Sequence, residues 1–222
     1  MVDEYLSERE QADQLRHWLS ENWIWLVTGV ALTLGGYYGY QWWEARQASR
    51  SLAAEQRLAA MLDALAQNQR EEGVRIAGEV TGEFAGTPYA DQATLVLARL
   101  DVEAGDFASA EKRLAAIADA SGDPDLRLVA RLRLARVQLA QGRHDDALAT
   151  LDAASQPAIE PRIEELRGDV QLARGDKIAA LESYRKAQSA TGSGSAGESL
   201  LDTELLGLKI DELAAATTTV TE

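Results

Sequence analysis

LARLDVEAGDFASAEKRLAAI (Leu97–Ile117), LARVQLAQGRHDDALATLDAA (Leu134–Ala154) and LRGDVQLARGDKIAALESYRKA (Leu166–Ala187) are three copies of one pattern. Each carries a glycine at a break between two helical runs and an alanine five residues later: Gly105 and Ala110, Gly142 and Ala147, Gly175 and Ala180. Four residues past the alanine stands a large side chain (Leu114, Leu151, Tyr184), and three further a smaller apolar one (Ile117, Ala154, Ala187). Prolines mark the helix starts, Pro88 after Thr87, Pro124 after Asp123 and Pro161 after Glu160. Proline is tolerated there because the first helical N–H has no partner, and Thr87 and Asp123 suit the N-cap. Glycines recur at 37 and then 33 residues, prolines at 36 and then 37. Helix–turn–helix units at a period near 34 are tetratricopeptide-like. Glycine supplies the turn, and the alanine is the predicted crossing point of two helices, where nothing larger fits.

Upstream, the chain from Glu21 to Glu44 runs 22 residues without a formal charge. As a helix it would be about 33 Å long, against a hydrocarbon core of about 30 Å. Trp23 and Trp25 stand at one end; Tyr37, Tyr38, Tyr40, Trp42 and Trp43 stand at the other. Such rings gather at membrane interfaces, apolar body in lipid and polar edge near water. The run is longer than a signal-peptide core, its start is acidic, and no Ala-x-Ala exit follows Tyr40, so an uncleaved anchor is predicted. Gly35 and Gly39 form a GxxxG that lets two such helices approach closely.

The rest is one soluble domain rich in Ala, Leu, Glu and Arg, without the Val/Ile/Thr alternation of sheets. Leu58, Leu62 and Leu65 make a helical stripe, and a second helix is expected over 71–83. The expected division is an acidic N-terminal segment (1–21), a transmembrane helix (22–43), a repeat domain (44–190), a Gly/Ser loop (191–199), a capping helix (200–216) and a disordered tail (217–222). The capping helix carries Leu201, Leu205, Leu208 and Leu213. The fold class is all-α: a single transmembrane helix, then an α-solenoid of helical hairpins with a C-terminal cap.

Chemistry is sparse. The net charge of −14 repels nucleic acid. The absence of cysteine removes disulfides and thiolate metal sites. Gly192, Gly194 and Gly197 spell GxGxxG, but between a helix end and a serine-rich loop rather than strand and helix. His17 and His144 lie in no metal spacing, and Glu164 and Glu165 read as surface charges on a helix. No catalytic, cofactor or metal constellation emerges, and no enzyme activity is expected.

A binding face remains. Stacked hairpins line a groove with their first helices. Arg99 and Arg136 occupy equivalent places six residues before the turn glycine, with Asp169 in the third repeat; Val102, Leu139 and Leu172 align three residues later. An apolar strip flanked by arginine suits a peptide. The alternative is that these arginines are surface charges paired with Asp101 or Glu103.

An N-terminal span followed by degenerate repeats resembles the YfgM family, the ancillary subunit of the SecYEG translocon. The resemblance is sharpest at LRLARVQLAQGRHDDALATLD (Leu132–Asp152) and LRGDVQLARGDKIAAL (Leu166–Leu181) and covers nearly the whole chain. It implies a single-pass inner-membrane protein with a cytoplasmic N-terminus and a periplasmic repeat domain. It further implies a place beside the translocon with an isomerase-like membrane chaperone, and the handing of unfolded envelope polypeptides to periplasmic chaperones. Restraint of an envelope-stress regulator is also implied. Near the span, Arg9 and Arg16 face Arg46, Arg50 and Arg57, a count that leans toward the opposite topology; the expectation follows the resemblance. The competing reading is a membrane-anchored repeat scaffold for another envelope complex.

Overall fold

The computed structural model describes residues 8–191 and 202–218. The Gly192/Gly194/Gly197 triplet, Leu201, residues 1–7 and residues 219–222 lie outside the described residues. Within them every regular element is helical: α1 (Glu8–Ala66), α2 (Arg70–Glu83), α3 (Pro88–Glu103), α4 (Phe107–Ala120), α5 (Pro124–Ala140), α6 (His144–Asp152), a 3-10 turn (Pro157–Ile159), α7 (Glu160–Arg174), α8 (Lys177–Thr191) and α9 (Thr203–Thr218). The chain divides into two compact units, Met1–Ala53 and Ala54–Glu222.

In the first unit none of the described side chains from 13 to 53 is buried. Trp25 is 74% exposed and Leu32 72%. By mean hydropathy no helix among the described residues is long and apolar enough to cross a membrane, the expected span at 22–43 included. The physical reason is the seven Trp and Tyr rings and Gln41, which dilute the Leu, Val and Ile of the run.

The second unit is a file of helical hairpins. Proline and an N-cap start α3 and α5: the Thr87 side chain accepts from Ala90 N–H, and Asp123 accepts from Asp125 and Leu126 N–H. The hairpin turns fall at Gly105, Gly142 and Gly175, with φ of +77°, +73° and +92°. A side chain is strained in that left-handed region. Ala110, Ala147 and Ala180 are fully buried, as are Leu114, Leu151 and Tyr184. Each of those large side chains contributes about 1.5–3 kcal/mol by leaving water.

Four apolar clusters run along the file. The end of α1 packs with α2 and α3, then α3 with α4 and α5, then α5 with α6 and α7, and finally α8 with α9. Arg131 stitches two neighbours by donating to the C-terminal carbonyls Ala118 O and Ala153 O at 3.3 and 3.2 Å.

Three expectations are corrected here. The buried stripe of α1 is Ala54, Leu58, Met61 and Ala64, with Leu62 45% exposed. The buried stripe of α9 is Leu206, Ile210 and Leu213, with Leu205 and Leu208 exposed. Glu164 and Glu165 are buried, not surface, because guanidinium groups cover them: Arg167 at 3.0 Å and Arg162 at 2.6 Å.

Candidate functional site

The first helices α3, α5 and α7 touch one another in sequence and form one face of the repeat domain. Between α3 and α5 this face opens into a cleft of about 300 Å³ lined by Ala98, Arg99, Val102, Leu114, Arg133 and Val137. Its floor is apolar and its charged edge is two arginines. Val102 is exposed enough to meet a ligand, whereas Leu114 and Val137 are buried floor. Leu139 does not join them. It is half-buried and packs against the third apolar cluster with Leu132 and Leu148.

The arginines form a file. Arg99 lies 3.5 Å from Glu103, an exposed pair of little energetic weight. Arg133 and Arg136 have no hydrogen bond or ion pair among the described residues. Burial and then the nearby Arg99 charge hold the Arg133 guanidinium below its usual pKa. Arg136 is lowered by burial first and then by Arg162, with Glu165 and Asp169 pulling the other way and Arg133 adding a smaller push down. Arg133 escaped the sequence reading. The signal was present: it precedes Arg136 by three residues, which puts both on one helical face.

At α7 the face is already occupied. Lys209 of α9 donates to Asp169 Oδ1 at 2.7 Å and to Glu165 Oε1 at 3.4 Å. The Tyr184 hydroxyl donates to the same Asp169 oxygen at 2.7 Å, and Lys209 Nζ sits 5.3 Å from the Tyr184 ring centre. Burial, then the hydrogen bond to Asp169, raise the Tyr184 hydroxyl above the usual tyrosine range. Tyr184 can lie so close to α7 because residue 168 is glycine; a Cβ there would come within 2.4 Å of the ring. Asp169, expected in an open groove, is thus held by the C-terminal helix, while Leu172 beside it is 37% exposed.

Among the described residues no group of three or more His, Cys, Asp or Glu could hold a metal ion. The four rings expected at a membrane interface, Trp23, Trp25, Trp42 and Trp43, all lie exposed on α1. Near them Trp25, Leu26, Gly29, Val30, Thr33 and Leu34 line a shallow apolar surface.

The tetratricopeptide repeat-like domain family matches residues 16–215. An ancillary SecYEG translocon subunit of Haemophilus influenzae is 30% identical over 94% of this chain and 98% of its own length. The Neisseria gonorrhoeae protein of that name is 30% identical over 92% of this chain and 99% of its own. The Escherichia coli one is 29% identical over 81% and 86%. Among solved structures, PcrH from Pseudomonas aeruginosa aligns at a TM-score of 0.48 and 18% identity, over 58% of this chain and 94% of that one.

Proposed function

The chain belongs to the family of ancillary SecYEG translocon subunits, and from that premise we propose that it is a translocon-associated adaptor that offers the face of its first helices to polypeptides. The observation that carries this reading is the cleft between α3 and α5. Its apolar floor can bury a peptide side chain while the guanidinium rim stays hydrated, which suits transient rather than permanent binding.

An anchor at 22–43 completes the reading. It is supported by the uncharged length of the run, the aromatic rings at both ends and the exposure of every large apolar side chain along it. In this proposal the protein sits in the bacterial inner membrane with its N-terminus cytoplasmic and its repeats periplasmic. The repeats pass unfolded envelope polypeptides toward periplasmic chaperones, beside an isomerase-like membrane chaperone, and the cytoplasmic end restrains an envelope-stress regulator. The role is binding, not catalysis.

Affinity purification of the full-length protein from detergent-solubilised membranes tests it. Translocon subunits should co-purify, and Val102→Ser with Arg99→Glu should weaken crosslinking to unfolded envelope proteins without removing the translocon. Purification free of translocon subunits would sink the adaptor reading.

A further inference from the structure

We propose that the strip formed by Arg99, Arg133 and Arg136 selects acidic-apolar peptides, placing a carboxylate on the arginines and its apolar neighbour in the cleft between α3 and α5. This rests on the polypeptide-binding reading above and names the chemistry of the partner.

Acids outnumber bases in this chain by 36 to 22, so an internal partner for a cation is easily found. Arg113, Arg143, Arg162, Arg167, Arg174 and Lys209 each have a carboxylate within 4 Å. Arg133 and Arg136, three residues apart on α5, have none among the described residues; neither do Lys112, Lys177, Arg185 and Lys186. Arg133 and Arg136 are set apart by the neighbouring Arg99 and Arg162, with Glu165 and Asp169 acting on Arg136 from beyond contact distance. Clustered like charges repel one another, and a carboxylate from outside relieves that repulsion. The other end of the same face shows the complementary arrangement: Asp169 and Glu165 on α7 are neutralised by Lys209 of α9. The charges of this face are therefore paired over α7, and paired only by the exposed Arg99–Glu103 contact over α3. At Arg133 and Arg136 of α5 they have no carboxylate contact among the described residues, which places the ligand at the first two hairpins.

A narrow apolar cleft of about 300 Å³ accepts a side chain and gives a flat bilayer little to bury. Nucleic acid is disfavoured by the net charge of −14.

The test uses the full chain in detergent micelles and fluorescence anisotropy. The probes are a fluorescein-labelled peptide of alternating leucine and glutamate, and the same peptide with glutamine or lysine for glutamate. The glutamate peptide should bind about tenfold or more tightly than the glutamine one, a gap that narrows as sodium chloride is raised. Arg133→Glu with Arg136→Glu should erase the gap and favour the lysine peptide, whereas Arg133→Lys with Arg136→Lys should keep most of it. Equal binding of the glutamate and glutamine peptides overturns the charge selectivity and leaves the adaptor reading standing. So does a gap that survives charge reversal in a protein of unchanged helicity. Failure to bind any of the three peptides overturns both. Displacement of the glutamate peptide by phosphatidylglycerol added to the micelles reassigns the strip to lipid headgroups and overturns the proposal.

Discussion

Thr150 Oγ1 donates a 2.8 Å hydrogen bond to Gln138 Oε1, and the same two positions are joined in all three hairpins. Counted from the turn glycine they are four residues before and eight after. Arg113 donates to Asp101 at 2.7 Å in the first hairpin, and Ser183 donates to Gln171 at 2.8 Å in the third. This pair of positions ties the two helices of each hairpin, and in the third the bond from Tyr184 to Asp169 adds a second tie.

The tie should be measurable in the middle hairpin. Gln138 is buried, so Thr150→Val keeps the shape but leaves its carbonyl oxygen without a donor, at a cost of about 1–3 kcal/mol. Adding Gln138→Leu should recover part of that loss, since both polar groups are then gone. Urea midpoints of the two variants and the parent decide it; a Thr150→Val midpoint equal to the parent's would show that the tie does not hold the two helices.

Tight packing at the third hairpin and at the second crossing gives a second measurement. Gly168→Ala drives a methyl into the Tyr184 ring, and Ala147→Trp overpacks a fully buried position. Each should cost about 1–3 kcal/mol or more. Asp146→Ala, at an exposed position beside Ala147, should cost well under that. Comparable midpoints for Ala147→Trp and Asp146→Ala in a denaturant titration would contradict the crossing geometry.

Tyr184 sets an alkaline limit. Its pKa is raised in the folded state, chiefly by burial and then by the bond to Asp169, from an ordinary value near 10. The folded state therefore holds the proton longer than the unfolded one. The stabilisation is complete below about pH 10 and is lost as pH rises from there through the higher folded value. Tyr184→Phe should fall less steeply in urea midpoint above about pH 10 than the parent. Parallel alkaline profiles would remove Tyr184 as the cause.

The hairpin count and the all-α repeat class were legible because glycine and alanine recur at fixed spacing and each has one physical reason to be there. The polar tie was not, because its members change identity from Asp and Arg to Gln and Thr to Gln and Ser while keeping only their positions. The buried helix stripes lie one or two residues from the expected ones, toward the N-terminus in α1 and toward the C-terminus in α9. Met61 stands next to Leu62 and Leu205 next to Leu206, so helical spacing alone does not choose which of each apolar pair reaches the core. Asp169 could be aligned with Arg136 in the sequence, but nothing there indicated that Lys209, 40 residues on, would cover it.

If α1 anchors the chain, full-length protein should stay with the membrane pellet after alkaline carbonate or urea washing, since an outright insertion outlasts surface adsorption. Alkaline phosphatase fused after Thr221, which needs an oxidising compartment, should be active. Release of most protein to the supernatant, or an inactive fusion beside an active cytoplasmic reporter, would reverse the anchor or the topology.

Each apolar cluster of the repeat domain joins only consecutive helices, and the most distant tie described, Lys209 to Glu165, spans 44 residues. Closing short loops costs little entropy, so the core can be completed in chain order, one hairpin at a time. A chain ending at Ser155 already contains the whole α3–α4–α5 cluster and should protect those amides in hydrogen exchange before α7 to α9 exist. The repeat domain is then suited to vectorial assembly: its amino-terminal half can be structured, cleft included, while its carboxy-terminal half is still being delivered.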